Sequence, residues 1–421
     1  MRGGVERETS RRLFLQFLAG SPLLAGCWAT DAGEAFSAPM PDPSDPRIWT
    51  SSDAGKAITT PSEALNVFDF EPVAHANVPP AHFGYMATGA EGESTLRANR
   101  ADFSRFALRP RRLRDVSKVD SRIEVFGETW DSPIFVCPTS SNAAFHPDGD
   151  LAVSRAAGKG RHLQILATPS SSSIEDAIAA RGSPMWFQLY APAGLEFARQ
   201  LLARAERAGS PGVAITVDVT SRRKNETQVR LRRVDERTCI QCHTTANGGT
   251  TISEKPNYSK LPGELFKADP GFSLALDWDT VRRLRDTTKM KVILKGIMDP
   301  EDAALCVKYG FDGLVVSNHG GRDDDGGFST IRALPDIVVA VNRKVPILID
   351  SGFRRGTDIV KALAMGATAV GVGRPYLWGL GAFGQPGVER VLAILREEVA
   401  AAMGQAGAAR VRDLTPGMIR T

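Results

Sequence analysis

The stretch Gly313 to Arg322, GLVVSNHGGR, sets an imidazole, two glycines and a guanidinium side by side. His319 can move a proton near neutral pH, and Arg322 can hold a carboxylate through two parallel N–H groups. Gly320 and Gly321 let the backbone turn and approach a ligand closely. Either charged residue alone would read as a core histidine or a surface arginine on a glycine turn. Both follow an apolar run, Leu314 to Val316, that has the character of a strand buried on both faces, and a strand's carboxyl end is where such a pair becomes a site.

The elements that must position this pair recur along the chain. Past Pro110, short apolar runs alternate with amphipathic helical stretches, a pattern of repeated βα units on a parallel sheet. The runs are Ile134 to Cys137, Leu163 to Leu166, Trp186 to Leu189, Val213 to Val217, Val292 to Leu294, Leu314 to Val316, Ile347 to Ile349 and Ala369 to Val372. Helical segments include Leu195 to Ala208, Pro300 to Tyr309, Thr357 to Met365 and Val388 to Met403. Eight such units predict an α/β fold of the closed (β/α)8 TIM-barrel kind, with its chemistry at the strands' carboxyl ends. A doubly wound open sheet is the alternative, but it has no need of eight units. One to three steps past the runs stand Thr139, Thr168, Tyr190, Asp218, Lys295, His319, Asp350 and Arg374, all polar or charged. A helical entry segment ending near Gly84 to Ala90 precedes the barrel, and a long insertion from about 220 to 277 follows the fourth strand.

Glycines and arginines cluster after the last two strands, in DSGFRRG (Asp350 to Gly356) and GVGRP (Gly371 to Pro375). In a barrel of this kind those loops offer backbone N–H groups and a helix N-terminus to a phosphate, so a phosphorylated cofactor or substrate is expected.

With those motifs in place, the chain from about Val67 to Leu414 resembles the FMN-dependent 2-hydroxy-acid oxidases and dehydrogenases, the family of glycolate oxidase, lactate oxidase, mandelate dehydrogenase and the lactate-oxidising flavocytochromes. The resemblance is carried by GYMATGAEG, SPIFVCPTS, FQLY, ITVDV, ILKGI, SNHGGRDDDGG, DSGFRRGTDIVKALAMGA and VGRPYLWGL. It implies FMN as cofactor and oxidation of an L-2-hydroxy acid to a 2-keto acid. His319 would be the base and Asp218 its carboxylate partner. Arg322 and Tyr85 would hold the substrate carboxylate, Tyr190 would bond the substrate, and Lys295 would sit by the flavin N1 and O2 edge. Pro138, Thr139, Ser140, Gln188 and Thr216 would line the isoalloxazine. Ser317, Asp350 and Gly352 would join them in holding the cofactor, and Arg354, Gly373 and Arg374 would take its phosphate. Relatives that form oligomers imply a homo-oligomer. An FMN barrel with isomerase or peptide-modifying chemistry, and a non-catalytic redox or binding lipoprotein, are the competing readings. The set His319, Asp218, Tyr85 and Arg322 speaks against the first, because it is built for a 2-hydroxy carboxylate.

Three departures stand out. Asn225 occupies the position of a second active-site arginine, which leaves Arg222 or Arg223 as substitutes. Ala167 and Pro169 stand where a flavin-contacting serine and a pocket tryptophan are usual, which implies a differently shaped pocket and a substrate other than glycolate. Inside the insertion, Cys239-Ile240-Gln241-Cys242-His243 has the C-x-x-C-H spacing of c-type haem attachment, with His243 as axial ligand. A disulfide between the two cysteines and a metal clip using His243 are the alternatives. Haem beside the flavin would route electrons to a cytochrome or other respiratory carrier; without it the acceptor would be oxygen or a quinone.

The chain has 421 residues, 42% hydrophobic, and a formal charge of +4. Arg2, Arg7, Arg11 and Arg12 against Glu6 and Glu8 confine half of that charge to the start, so the rest offers nothing to nucleic acid. Residues 1–27 read as an export signal: Ser10-Arg11-Arg12-Leu13-Phe14-Leu15 resembles a twin-arginine motif, an uncharged stretch too short to span a bilayer follows, and Leu24-Ala25-Gly26-Cys27 resembles a lipobox. The implied location is the periplasm or cell envelope, with a lipid anchor on Cys27. Residues 28–62 read as a tether and 63–421 as the barrel domain. Cys137 and Cys306 read as buried thiols.

Overall fold

The computed structural model describes residues 57–421 apart from 192–194, 221–223, 237–254, 260 and 263–275. The export signal, most of the tether, Arg222, Arg223 and the Cys239–His243 motif lie outside the described residues. Among the described residues no helix is long and apolar enough to cross a membrane.

Eight parallel strands close on themselves: β1 (Ile134–Val136), β2 (Leu163–Ala167), β3 (Trp186–Tyr190), β4 (Gly212–Thr216), β5 (Lys291–Ile297), β6 (Gly313–Val316), β7 (Ile347–Ile349) and β8 (Ala369–Val372). Their order is sequential and β8 pairs back onto β1, with Gly371 opposite Phe135. The predicted closed barrel is therefore the observed one, and each predicted run falls on a strand. The strands form because nearly every residue in them is buried on one face or the other. Val213 and Ile215 face the surrounding helices while Ala214 faces the barrel interior, where it packs with Phe135, Ile165, Trp186, Ile293, Val315 and Leu348.

A hairpin of Ile123–Val125 and Glu128–Trp130 closes the amino-terminal end of the barrel. Its turn places Phe126 and Gly127 at φ 55° and 83°, the left-handed pair a tight hairpin demands. Ile123, Val125 and Trp130 pack into the barrel-interior core, and Phe126 lies 4.7 Å from Trp186 between ring centroids. With the barrel interior filled from that end, the strands' polar termini gather at the other.

The entry segment is helical, Phe70–Asn77 and Pro80–Ala87, and carries Tyr85 to the barrel mouth. After β8 the chain is helical from Arg374 to Ala406, broken at Phe383 and Gly384, so the predicted Val388 to Met403 helix is the second of two. The insertion after β4 contains a helix, Glu226–Arg233. Its described part near Lys255 to Ser259 is seated firmly. Asn257 donates to Thr168 O and Ser170 Oγ and accepts from the Ile174 amide, while Arg204, paired with Glu175, donates to Pro256 O.

Candidate active site

β6 ends at Val316, and Ser317 to Gly321 turn sharply across the barrel mouth. His319, Gly320 and Gly321 are all left-handed, at φ 57°, 71° and 72°. A Cβ on Gly321 would lie 2.5 Å from the Leu96 backbone nitrogen, so only glycine lets this loop pass beneath the helix Ser94–Ala101. A histidine held at positive φ is costly and persists only where its surroundings over-determine it. Here they do. Nδ1 lies 2.9 Å from Asp218 Oδ1 and 3.1 Å from Asp323 Oδ2, and Nε2 lies 3.0 Å from the Tyr190 hydroxyl. Carboxylates only accept, so the hydrogen-bond network assigns the proton to Nδ1 and the lone pair to Nε2, which faces the cavity and accepts the tyrosine O–H.

Asp218 reaches the imidazole because β5 bulges beside it. The register shifts between Lys295 and Ile297, and the residue between them, Gly296, has φ 112°. A Cβ there would sit 2.5 Å from that of Asp218. The bulge also aims Lys295 into the barrel mouth, where Nζ donates to Ser317 Oγ at 2.8 Å and lies 3.5 Å from Asp350 Oδ2. Burial by itself would lower the Lys295 pKa, but Asp350 and then Asp218 outweigh it and raise it, so the ammonium stays charged. Cys137 stands on the other side of Asp350. Burial, then the Asp350 charge, pushes its thiol pKa well up, and the neutral S–H donates to the carboxylate.

Arg322 rests over the Tyr85 ring, 4.5 Å from its centroid, and donates to the carbonyls of Tyr85 and Thr88. The Tyr85 hydroxyl is hydrogen-bonded to Ser140. Asn225, in the place expected of an arginine, donates to Gly89 O at 2.9 Å and to Arg322 O at 3.4 Å. It thus ties the Arg322 backbone to the entry segment.

These groups line one cavity. Tyr85, Pro138, Thr139, Ser140, Tyr190, Lys295, His319, Arg322, Asp350, Gly352, Arg354, Gly373 and Arg374, all expected from sequence, share its wall with Met86, Cys137, Ala167, Ser351, Phe353 and Leu377. Gln188, Thr216 and Ser317 are buried one layer behind: Gln188 bonds the Thr168 amide and Thr216 Oγ1, and Ser317 supports Lys295. Pro169 is not among the lining residues, whereas Ala167 is.

At the far end, Arg354 is buried and Arg374 half-buried. Burial, then the nearby Arg100 and Arg374 cations, pushes the Arg354 pKa well down. Burial, then Arg322, brings that of Arg374 down to about 9. Arg354 stacks 4.7 Å from the Trp378 ring, and Arg374 donates to Met86 O, Gly320 O and Thr88 O. Two mutually repelling guanidiniums in a glycine-walled pocket match a phosphate dianion in charge. One expectation needs correcting. The Arg354 and Arg355 amides donate to Asp358 Oδ2 and the Gly356 amide to Glu398 Oε2, so acids already cap the helix Gly356–Met365. Those amides are thus occupied, and of this loop's two guanidiniums it is Arg354 that lines the cavity.

Asp323 is the residue sequence reasoning missed. It sits in an acidic run, Asp323 to Asp325, that reads as a solvated turn, yet its side chain is only 6% exposed. Among the described residues, Asp218, His319 and Asp323 form the single His/Cys/Asp/Glu cluster tight enough for a metal ion, with Nδ1 in a hydrogen bond to Asp218 at 2.9 Å and in ion-pair range of Asp323 at 3.1 Å.

Comparison with known proteins agrees with this geometry. The family profile of FMN-dependent dehydrogenases matches residues 74–421. An L-lactate oxidase of Lysinibacillus sphaericus (strain C3-41) is 38% identical over 353 residues, 82% of this chain and 90% of that protein. Glycolate oxidase 1 of Oryza sativa subsp. indica is 36% identical over 363 residues, 85% and 96% of the two chains. A crystal structure of mandelate oxidase superposes with a TM-score of 0.75 at 36% identity, covering 85% of this chain and 98% of the other.

Proposed function

This chain belongs to the FMN-dependent 2-hydroxy-acid oxidase family, and from that premise we propose that it oxidises an L-2-hydroxy acid to the 2-keto acid and passes the electrons to an external acceptor. The observation that carries the reading is the His319 imidazole: its Nε2 faces the cavity and its Nδ1 is backed by Asp218 at 2.9 Å. FMN, when bound, supplies the two-electron acceptor. Arg354, Arg374, Gly352 and Gly373 would hold its phosphate, and Lys295 would lie against the ring edge where negative charge develops.

The chain's own residues do the rest. Arg322 and Tyr85 grip the substrate carboxylate and leave the hydroxyl-bearing carbon facing His319 and Tyr190. The oxidation takes two electrons and two protons from the substrate: Nε2 would take one proton, with Asp218 balancing the imidazolium that forms, and the other would leave with the electrons to the acceptor. Tyr190, at 3.0 Å from Nε2, keeps the ring aimed at the substrate hydroxyl. Ala167 in place of a flavin-contacting serine and Pro169 in place of a pocket tryptophan support a substrate other than glycolate.

The twin-arginine and lipobox motifs support export and anchoring through Cys27, with a quinone or cytochrome of the envelope as acceptor; the oxidase relatives support oxygen. Homo-oligomerisation rests on the family resemblance alone. For Cys239, Cys242 and His243, mass spectrometry and a denatured-state absorption spectrum separate haem c from a disulfide or a metal clip.

Anaerobic titration of the holoprotein with L-lactate, L-mandelate and longer 2-hydroxy acids tests the central reading. Bleaching of the flavin bands by at least one of them is expected, and His319→Gln should abolish it with FMN retained. Flavin that no 2-hydroxy acid reduces would refute the proposal.

A further inference from the structure

We propose that Asp323 is a second carboxylate partner of His319, a positioning residue that strengthens the imidazole as a base by adding a second negative charge at Nδ1. The inference rests on the reading of His319 as the proton acceptor.

The local backbone explains how Asp323 arrives there. Three successive left-handed residues, His319 to Gly321, fold the chain back on itself, so the side chain four positions on returns to the ring it left. Its Oδ2 lies 3.1 Å from Nδ1, against 2.9 Å for Asp218 Oδ1, and the two carboxylate side chains are only 6% and 11% exposed. One N–H has one proton, and a single carboxylate suffices to fix the tautomer. A second one, partly desolvated, therefore adds charge rather than orientation, and charge favours the protonated ring.

The other groups facing the ring do not duplicate this role. Tyr190, from β3, touches Nε2 alone. Lys295, from β5, feels Asp218 and Tyr190 and is held by Ser317 and Asp350. Arg322 and Tyr85 contact each other, and Arg374 bonds Gly320 O. Asp218, from the loop after β4, and Asp323, from the histidine's own loop, are the acids at Nδ1.

Asp323→Asn removes the charge and keeps the shape and one acceptor oxygen. Two readouts are taken on holoprotein: the pH dependence of flavin reduction by the best 2-hydroxy acid, and the pH titration of the His319 ring resonance in resting protein, identified by its loss in His319→Gln. Both should move to lower pH, because the ring loses a neighbouring charge that favours its protonated form. Asp323→Glu, which keeps the charge, should leave both near wild type. Unmoved titrations in a folded Asp323→Asn protein, or a Glu variant shifted as far as the Asn variant, would overturn the inference. If Asp323→Asn does not fold, Asp323→Ser, which also removes the charge, makes the same comparison and is expected to shift both titrations in the same direction. If no acid reduces the wild-type flavin, the functional reading fails while the ring titration still tests Asp323.

Discussion

Gly296→Ala is the most direct probe of how the barrel places its acid. The added methyl would sit 2.5 Å from Asp218 Cβ and 2.7 Å from its Cγ, whereas carbon atoms in contact settle near ~3.5–4.0 Å. Asp218 must therefore retreat by about 1 Å, which stretches a 2.9 Å hydrogen bond to Nδ1 beyond effective range. A misplacement of this size in catalytic geometry costs on the order of 10²-fold in rate, about 2.7 kcal/mol on the barrier. Forcing alanine to the glycine's φ of 112° adds a folding cost of about 1–3 kcal/mol. Stopped-flow reduction of the flavin by substrate reports the first effect, thermal melting the second, and absorbance confirms that FMN remains bound. A variant that folds, holds flavin and reduces it at the wild-type rate would refute the claim that the bulge exists to seat Asp218.

Other outcomes follow from the same geometry. Tyr190→Phe removes the hydroxyl at 3.0 Å from Nε2 and should lower kcat by about tenfold or more, with FMN affinity unchanged, measured by steady-state kinetics and equilibrium dialysis. Arg374→Lys cannot reproduce three carbonyl contacts together with a phosphate contact, each worth about 1.5–3 kcal/mol, so FMN should dissociate on dialysis at least about tenfold more readily. Burial holds the Asp150 carboxyl pKa up at about 6, so its contribution to stability is present below the unfolded value near about 3.9 and is lost as pH rises through 6. The stability of wild type minus that of Asp150→Asn should therefore fall by up to ~3 kcal/mol between about pH 4 and pH 6 and stay flat above, read from denaturant melts.

The barrel was legible because its strands obey a rule that needs no tertiary knowledge: a strand covered on both faces must be apolar throughout, as in Val213 to Ile215, and must stop where the chain needs polar groups. His319, Asp218, Lys295 and Arg374 could be found from sequence for that reason, each one to three steps beyond an apolar run. What sequence spacing could not supply was the layer behind. Gln188, Thr216 and Ser317 have the right residue types at the right strand ends, yet they face their neighbours rather than the cavity, because a strand's twist and the packing of its neighbours decide which end residue reaches inward.

The same limit applies to charge. Glycines and arginines after β7 promised a helix N-terminus open to an anion, but Asp358, in a capping box, and Glu398, from beyond that helix, take its amides, and no local pattern around Arg354 announces the second. Asp323 is the converse. Three aspartates in a row between glycines have the composition of a wet turn, and only the left-handed path from His319 to Gly321 turns the first of them back under the imidazole. Backbone chirality at a non-glycine residue is a tertiary outcome, held in place by Asp218 on one ring nitrogen and Tyr190 on the other. A residue's chemistry in this site is therefore set less by its position in the motif than by the backbone path that the motif's own contacts enforce.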